Sequence, residues 1–530
     1  MRRRFPIRWT GVAAIALAAL AQAATDRLPE GLDWSGFSTF HDALERISTR
    51  SGLSLPHQGW PLSTTQIREF LAKASERGGL TRSDSLALTE FLDSPRELKR
   101  WKRADDGTFL AIEPQVQGSV RRDSSLTRRL GSLGGQLYGT LGGEIQWYSQ
   151  ATVNTEWADD YIYYDRYPNA DGEPSEVPFG DDNQNGLYKK RTFARYTAYL
   201  QWQHKWLTMK YGRDHIQHGP GEWTGLSTSR FLPPWTMFDT RIDPFDWLTV
   251  QATVLEARST DYYTGAGDPR YYAGDTRKWL HVHRFEVRPF DGVALAFQNM
   301  VTYPADSSGG LQPAYLLPLV PIFFTQDLSG NRDNAAMQFD ARIDRIPYLS
   351  LWGVFFIDDL DGPTTMFNNH WLNRWAALGG FRLLSPWKSI DADLTAEVSV
   401  VRPWTYTGGR EAAYTFSHYG FATGSEGGPD SRSTHVRIQW RPKASLELGP
   451  EFSLQEKGIG RQAQLGVVHD GQDSYDVSLL EHAFRTWTMG GAASWEPWFG
   501  KRLTGSVGYA WNDSSAYRGM RWSAGASVEW

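Results

Sequence analysis

Residues 391–400 read Asp-Ala-Asp-Leu-Thr-Ala-Glu-Val-Ser-Val, and apolar residues occupy every even-numbered position of this stretch. The odd-numbered positions between them hold acidic residues, threonine and serine. Because successive side chains of a β-strand point to opposite faces, the stretch predicts a strand with one apolar and one polar face. The fold must therefore place apolar surroundings on one side of this strand and polar groups on the other.

The same two-residue period recurs from about residue 109 onward. Residues 335–344 and 446–455 show it, with apolar residues on one face and mostly polar residues between them. A soluble β-sandwich would show this alternation as well. These segments, however, run for about 9–13 residues, which suits a tilted strand that crosses a bilayer. Strands of globular proteins are mostly about 5–6 residues long, so the segment length favours a membrane barrel.

Short links and long polar segments alternate between the predicted strands. The short links lie at residues 204–205, 243–246, 289–291, 345–347, 385–388, 441–443 and 496–500. The long segments lie at residues 155–189, 214–234, 259–276, 304–333, 359–372 and 402–431. Short turns at one end of a barrel and long loops at the other are typical of outer-membrane proteins.

Aromatic residues mark the ends of many predicted strands. The tryptophans in such positions are Trp202, Trp206, Trp247, Trp279, Trp440 and Trp511. The chain closes on an alternating segment whose last residue is Trp530, the expected contact for the barrel-assembly machinery. Interfacial aromatic girdles are typical of membrane barrels. Since lipid tolerates no open sheet edge, the pattern predicts an all-β transmembrane barrel over residues 109–530, with about 18 antiparallel strands and at most about 20.

Residues 1–23 have the form of a secretory signal peptide. Arginines at positions 2, 3, 4 and 8 precede an apolar stretch, and Ala21-Gln22-Ala23 is a small-x-small cleavage site. The apolar stretch is shorter than the roughly 20 residues that a spanning helix needs. A lone membrane anchor is therefore the weaker interpretation, and we expect export with cleavage after Ala23.

Charge and cysteine content exclude several functions. Without the signal segment, the chain carries 51 basic and 60 acidic residues, a net charge near −9. This balance disfavours nucleic-acid binding, which needs a basic surface. The sequence has no cysteine, which excludes disulfides and thiol catalysis.

Residues 36–101 differ from the barrel segment because their apolar residues follow helical spacing. Helices are predicted at 37–47, 63–74 and 83–92. Ser63 and Gln66 match a capping box at the start of the second helix, and Gly78-Gly79 would end it. The prediction is a small periplasmic bundle of about three helices. It either has a function of its own or acts only as a plug or linker.

Residues 211–235 resemble the signature stretch of the Wzi-like capsule assembly proteins. They read Tyr-Gly-Arg-Asp-His-Ile-Gln-His-Gly-Pro-Gly-Glu-Trp-Thr-Gly-Leu-Ser-Thr-Ser-Arg-Phe-Leu-Pro-Pro-Trp. The residues that match the family are Gly212, Arg213, Gly219, Pro220, Gly221, Leu226, Ser229, Pro233 and Pro234. His218 stands where the family has Trp, and Phe231-Leu232 stands where it has Asn-Ala. Asp333-Asn334, which opens a strand carrying Asp340, is a second match.

This resemblance implies an outer-membrane, lectin-like barrel with a periplasmic helical bundle. Such a protein binds surface or capsular polysaccharide and assists its assembly or attachment at the cell surface. Glycan recognition needs aromatic faces for sugar rings and polar side chains for hydroxyl groups. The candidate polysaccharide-binding residues are Arg213, His218, Glu222, Trp223, Ser227, Trp235 and Arg241.

A structural role is the alternative for these candidates. Gly219-Pro220-Gly221 fits a tight turn, and Trp223 would then pack against the lumen wall. Arg213, Asp239 and Arg241 would likewise be ion pairs that fill the barrel.

No motif in the sequence indicates a metal, a cofactor or a catalytic group strongly. Residues 181–186 read Asp-Asp-Asn-Gln-Asn-Gly, like the start of a calcium loop, but Thr192 stands at the twelfth position. An ordinary turn is the better interpretation. His281 and His283 share a strand face but supply only two ligands, whereas catalytic zinc usually takes three. No Gly-x-Ser-x-Gly, phosphate-loop or His-Glu-x-x-His motif is present, so we expect no enzyme, no cofactor and no metal.

Two other functions remain open from the residues alone. One is a sugar- or anion-selective porin with an open lumen and charged residues at its constriction. The other is an outer-membrane enzyme that acts on lipid or glycan, because the pairing of carboxylates in space is not readable from spacing. The predicted helical bundle favours an assembly role over diffusion, because a pore needs no such bundle.

Overall fold

The chain forms a closed antiparallel β-barrel with helices packed into one end. The computed structural model describes residues 33–34, 39–85, 102–103, 108–123, 126–142, 144–163, 177–178, 187–260, 275–305, 310–316, 322, 333–387, 389–408, 412–419, 421–465, 469, 474–480, 483–498, 501–512 and 518–529. The predicted signal peptide, Trp530 and the calcium-like segment 181–186 lie outside these residues. No helix in the described part of the chain is long and apolar enough to cross a membrane.

Eighteen strands of eight residues or more form the barrel wall within the described residues. They are β1 (Phe109–Asp123), β2 (Leu126–Leu141), β3 (Ile145–Tyr163), β4 (Leu187–His204), β5 (Leu207–Asp214), β6 (Trp235–Phe245), β7 (Leu248–Thr260), β8 (Asp275–Phe290), β9 (Val293–Pro304), β10 (Asn334–Ile346), β11 (Leu349–Asp359), β12 (Arg374–Leu384), β13 (Ala392–Val401), β14 (Ser431–Lys443), β15 (Leu446–Gly458), β16 (Ala483–Trp498), β17 (Lys501–Asn512) and β18 (Arg518–Glu529). Each strand pairs with its sequence neighbour, and β18 pairs with β1 to close the ring. The predicted transmembrane barrel of about 18 strands is confirmed.

The two faces of the wall follow the sequence alternation. In β13, Val398 is 42% exposed on the outer face, whereas Thr395 on the inner face is fully buried. Leu200, Leu133 and Val507 are more than half exposed on other strands. Large apolar side chains on the outside of a closed sheet are stable only in contact with lipid.

Exposed tryptophans surround the end of the barrel that carries the short turns, which we call the short-turn end. Those between 45% and 66% exposed are Trp206, Trp247, Trp387, Trp440 and Trp495. They include three residues predicted for the interfacial girdle. The opposite end, called the long-loop end, carries the long connections between strands, as the sequence predicted.

Two helices lie at the short-turn end. Helix α1 spans Thr39–Ser51 and helix α2 spans Thr64–Arg77. Ser63 and Gln66 form the predicted capping box, and Gly78 is the C-cap. Residues 82–85 are helical as well, but the rest of the predicted third helix lies outside the described residues. Apolar residues of both helices, among them Ile47 and Leu71, form a small core of their own.

Three short 3₁₀ helices and several two-residue strands complete the described structure. The 3₁₀ helices are Pro313–Leu316, Ala412–Tyr414 and Arg461–Ala463, and the short strands are Asp33–Trp34, Gly59–Trp60, Leu62–Ser63, Lys102–Arg103, Val177–Pro178, Gln217–His218, Ser417–His418 and Phe421–Ala422. Gln217–His218 pairs with Gly59–Trp60. The loop between β5 and β6 therefore reaches down the lumen and joins the N-terminal segment.

We expect the outer face of β13 to tolerate charge only near its ends. Val398→Arg places a guanidinium against hydrocarbon and should destabilise the folded barrel by about 2–4 kcal/mol, whereas Ala392→Arg, next to the short turn, should cost about 0–1 kcal/mol. Equilibrium unfolding of both variants in lipid vesicles measures the difference. Equal effects at the two positions would contradict the assignment of this face to the lipid.

Candidate functional site

Helix α1 is held in the barrel by ion pairs with arginines of the wall. Glu45 pairs with Arg342 of β10. Asp42 lies 3.6 Å from Arg437 of β14 and 3.9 Å from Arg382 of β12. Removing one partner of such a buried pair typically costs about 3–5 kcal/mol, because a charge is left buried and unpaired. The wall arginines therefore fix the position of α1 inside the short-turn end.

The loop between β5 and β6 joins the same set of charges through Glu222. Its carboxylate accepts from Arg382 at 2.9 Å and from Arg437 at 2.7 Å. Burial raises the pKa of Glu222, but the charges of Arg382 and Arg437 outweigh burial and bring the pKa below its ordinary value. Glu222 thus stays ionised, and the loop, helix α1 and the wall share one network of charges.

A second carboxylate, Glu397 of β13, holds the backbone of this loop. It accepts from the backbone N–H groups of Glu222, Trp223 and Thr224 at 2.7, 3.1 and 3.3 Å. The indole N–H of Trp352 donates to the same carboxylate at 2.9 Å. Charged hydrogen bonds to successive N–H groups fix a turn firmly, so the tip of the loop has one position in the lumen.

Most of the other predicted site residues in this loop are buried in structural contacts. His218 is 2% exposed and bonds through Nδ1 to the Thr228 hydroxyl at 2.8 Å. Ser227 is fully buried. Trp235 is fully buried and stacks on His418 at 3.9 Å between ring centroids.

Trp223 is the half-buried member of the predicted set in this loop. Its ring stacks on His435 of β14 at 5.2 Å, with 13° between the ring planes. The Arg437 guanidinium lies over the same ring at 5.3 Å. The indole thus packs on the lumen wall, which is the structural alternative stated for it above.

Arg213 and Arg241 lie far apart in the wall and on opposite faces. Arg241 faces the lumen, where it contacts Asp243 at 3.2 Å and the His57 ring at 3.3 Å. Arg213 lies over the ring of Tyr196, which is 45% exposed on the outside. The structure therefore does not bring Arg213 into the lumen.

Asp239, the third member of the expected lumen ion pairs, bonds to neutral side chains of β7. Its carboxylate accepts from the Gln251 amide at 2.9 Å and from the Thr253 hydroxyl at 2.5 Å. Arg241 forms an ion pair with Asp243 at 3.2 Å.

The candidate pair His281 and His283 has structural partners, as does Asp358 of β11. Asp358 accepts from the backbone N–H of Tyr406 at 2.7 Å and so holds the loop between β13 and β14. His281 and His283 both bond to the carbonyl oxygen of Tyr315, at 3.2 and 2.9 Å. Within the described residues, no group of three or more potential metal ligands is present.

The long-loop end carries an aromatic cluster that the sequence did not reveal. We call it the rim cluster; its members are His370, Trp371, His469 and Tyr475. Phe367 of the same loop lies beside it and packs edge-on against Trp375 at 5.7 Å. Trp371 and His469 stack at 3.9 Å with 10° between the rings, and His370 stacks on Tyr475 at 6.2 Å. Phe367 is 71% exposed and Tyr475 is 59% exposed. Flat rings are therefore available to a ligand arriving from this end of the barrel.

Backbone hydrogen bonds join the two loops that supply the rim cluster. The N–H of Trp371 donates to the Tyr475 carbonyl at 2.9 Å, and the N–H of Val477 donates to the Asn369 carbonyl at 2.7 Å. The loop after β11 and the loop after β15 thus form a short antiparallel bridge. This bridge fixes the spacing of the rings.

Polar groups border the rim cluster. Asn368 and Asn369 are exposed, and Arg402 donates to the Asn369 amide oxygen at 3.4 Å. Arg374 lies over the Trp371 ring at 4.7 Å. In the described part of the chain, buried nitrogens without a hydrogen-bond partner occur on Trp371, His469 and Arg402. A polar ligand could satisfy these nitrogens, since such groups are costly to leave unpaired.

The sequence contained part of the signal for the rim cluster. Residues 367–371 read Phe-Asn-Asn-His-Trp within a predicted long loop. The residues that contact this stretch, however, come from the segment 459–482, where no strand alternation allows a secondary-structure prediction. Proximity of two loops about a hundred residues apart depends on the closed barrel and is not encoded in either loop.

Comparison with known proteins supports the fold alone. No protein-family model matches the chain, and no curated protein matches it. A solved structure described as Wzi, an outer-membrane protein involved in group 1 capsule assembly in Escherichia coli and a carbohydrate-binding β-barrel, is similar to it. The TM-score is 0.57 at 14% identity, covering 96% of this chain and 99% of that chain. The expected Wzi-like architecture is confirmed at the level of the fold.

Porin structures match less well. OccK8 (OprE) of Pseudomonas aeruginosa gives a TM-score of 0.45 at 9% identity, covering 79% of this chain and 98% of that chain. A BenF-like porin from Pseudomonas fluorescens gives 0.45 at 10% identity, covering 79% of this chain and 98% of that chain.

We expect the docking of the helices to weaken below about pH 6.5, because two buried histidines stay neutral there. Burial and the Arg284 charge lower the pKa of His218 to about 3. Burial and the Arg241 charge hold the pKa of His57 well below its ordinary value. Unfolded histidine takes up a proton near pH 6.5, so each such residue should cost on the order of 1 kcal/mol per pH unit below that value.

The measurement is the urea concentration at which trypsin cleaves the helical segment, taken between pH 7.5 and 5. The wild-type midpoint should fall with pH, and His57→Asn combined with His218→Asn should flatten the change. His204→Asn, at the exposed end of β4, is the control. The carboxyl groups of Asp42 and Glu222, whose pKa values are lowered, lose their contribution only below about pH 4.5. A midpoint that does not change over this range contradicts the assignment.

Proposed function

We propose that the protein is an outer-membrane, lectin-like barrel that binds surface or capsular polysaccharide and assists its assembly or attachment at the cell surface. The observation that carries this proposal is the rim cluster. Stacked and exposed aromatic rings, bordered by amide and guanidinium groups, stand at the long-loop end of a barrel whose lumen holds the loop between β5 and β6 and helix α1.

The rim cluster has the chemistry that a sugar chain requires. Exposed faces of Tyr475 and Phe367 suit the apolar faces of sugar rings. Asn368 and Asn369 offer both donors and acceptors for hydroxyl groups. The unpartnered nitrogens of Trp371 and Arg402 add donors that a hydroxyl or carboxylate oxygen would satisfy.

The segments inserted into the lumen favour binding over diffusion. Side chains of the loop between β5 and β6 form a core with inward residues of the wall; among them are Leu226, Trp352 and Phe356, all buried. Helix α1 occupies the short-turn end through the ion pairs described above. A sugar- or anion-selective porin would need an aqueous path through these groups, so it is the weaker candidate.

We place the helices in the periplasm and the rim cluster outside the cell. Short turns face the periplasm and long loops face the exterior in outer-membrane barrels. The Escherichia coli Wzi barrel, whose fold this chain shares, is described as carbohydrate-binding, which supports the proposed ligand class. The proposed partners are polysaccharide, outer-membrane lipid and, through Trp530, the barrel-assembly machinery. We propose no reaction, and thus no enzyme.

In this proposal, the polysaccharide-binding residues predicted in the loop between β5 and β6 support the rim cluster and do not bind the glycan themselves. The tip of the loop between β5 and β6 supports the loop after β13, because the Tyr406 hydroxyl donates to the Leu226 carbonyl at 2.9 Å. The loop after β13 in turn contacts the rim, since Trp404 packs edge-on against His469 at 5.5 Å. Glu222 and Trp223 would therefore position the rim without touching the glycan.

We expect Trp371→Ala and Tyr475→Ala each to weaken polysaccharide binding by about tenfold or more, as is typical of aromatic residues at the centre of a binding site. The measurement is binding of purified surface polysaccharide from the producing cells to the detergent-folded protein by calorimetry. Trp387→Ala, which removes a 66% exposed tryptophan at the short-turn end, should leave binding unchanged. Retention of full affinity in both rim variants would contradict the site. Absence of binding by the unmodified protein would contradict the function.

A further inference from the structure

A segment of the loop between β9 and β10 lies against the outer surface of the barrel. The register places His281, Val301 and Ala335 in one row across β8, β9 and β10. Val301 packs with Tyr303, Tyr315 and Ile322 in a buried cluster. This cluster is on the outside, because the alternate residues Val282 and Met300 belong to the lumen core. The 3₁₀ helix Pro313–Leu316 thus covers a part of the wall that would otherwise face lipid.

Polar side chains on the covered part of the wall explain why the segment stays there. His281 and His283 are at most 1% exposed although they face outward. The Tyr303 hydroxyl lies 2.8 Å from the His281 ring and accepts from the backbone N–H of Gln312 at 3.0 Å. Because hydrocarbon offers no hydrogen bonds, these groups require the segment as a partner.

A furrow of about 350 Å³ runs beside this segment on the outer wall. Its floor contains the small residues Ala252 and Val254 of β7, each 8% exposed. Tyr211 and Phe238, on β5 and β6, form one side. The other side is formed by the residues Trp279, Leu311, Tyr315 and Leu316. Small residues between two rows of large ones leave a channel with apolar walls.

Basic side chains stand next to the furrow, towards the long-loop end. The register places Arg213, Thr236 and Glu256 in the outward row immediately beyond Tyr211, Phe238 and Val254. Arg258 and Arg277 are paired in the next outward row. Glu256 is 2.9 Å from Arg258, so three guanidinium groups stand beside one carboxylate. Arginine at this height of a barrel marks the level of the headgroups, because charge is costly deeper in the bilayer.

We propose that the furrow binds one phosphate-bearing lipid of the outer leaflet. An acyl chain lies between Tyr211 and Leu316, and the phosphate contacts Arg258 and Arg277. This site is separate from the rim cluster and does not depend on the proposed glycan binding.

The surroundings favour a lipid as the occupant. The furrow opens on the face where Tyr211 and Phe238 are 64% and 37% exposed, which is the lipid-facing side of the wall. Hydrocarbon fills apolar concavities without the loss of backbone hydrogen bonds that an inserted peptide would suffer. The excess of positive charge at one end complements the phosphate. Both ends of the furrow thus match a single amphipathic molecule.

Native mass spectrometry of the detergent-folded full-length protein tests the proposal with added phosphatidylglycerol and phosphatidylcholine. One phosphatidylglycerol should remain bound per barrel under conditions that remove phosphatidylcholine. Val254→Phe fills the furrow and should lower this occupancy by about tenfold or more, since the chain loses contact with several methylene groups. Ala341→Phe, the same kind of enlargement on the outer face of β10, is the matched control.

A second variant changes the arginines and leaves the apolar furrow intact, so its result does not depend on how the furrow repacks around a larger side chain. Arg258→Gln with Arg277→Gln should abolish the preference for phosphatidylglycerol over phosphatidylcholine while a chain can still bind. Equal retention of both lipids by the unmodified protein would overturn the proposal. So would unchanged retention in Val254→Phe, or displacement of the lipid by inorganic phosphate at millimolar concentration, which would indicate a free-anion site.

Discussion

The buried guanidinium of Arg382 is the point on which the interior of this barrel depends. It faces the lumen, is 1% exposed, and reaches carboxylates of the loop between β5 and β6 and of helix α1. A charge removed from water needs partners, and those partners belong to segments far apart in sequence. Arg437 of β14 repeats the arrangement, and Arg342 of β10 pairs with Glu45 of helix α1. The wall is thus positive where the inserted segments are negative, and this charge pairing holds the loop between β5 and β6 and helix α1 inside the lumen.

The outside of the wall has the opposite requirement, because it faces lipid and not paired charges. Apolar residues face lipid along most strands, as Val398 does, and no partner is needed there. Where polar groups do face outward, as at His281 and His283, another segment of the chain covers them. The furrow lies beside this covering segment and has arginines at one end, which need a polar partner for the same reason. At His281 and His283 protein meets the polar groups, and beside the furrow the proposed headgroup would do so.

The strands of the barrel wall were predicted from the sequence more completely than the contacts inside the lumen. Strict alternation in stretches such as 391–400 was sufficient to predict the strands, their faces and the closed ring. The capping box at Ser63 was equally local and was predicted correctly. The site residues were harder to predict from the sequence. Arg213 and Arg241 lie on neighbouring strands but point to opposite sides of the wall. The rim cluster joins Trp371 to His469 across two loops, and only barrel closure determines that contact. Long-range pairing of loops leaves no periodic trace in a sequence.

Single-channel recording in planar bilayers tests most directly whether the charge pairs keep the lumen closed to ions. If Arg382, Glu222 and helix α1 hold the interior as described, the unmodified protein shows no steady open level. Arg382→Ala, which leaves buried carboxylates unpaired, introduces brief openings, whereas Arg345→Ala at the exposed end of β10 does not. A stable, ohmic conductance in the unmodified protein would contradict the account.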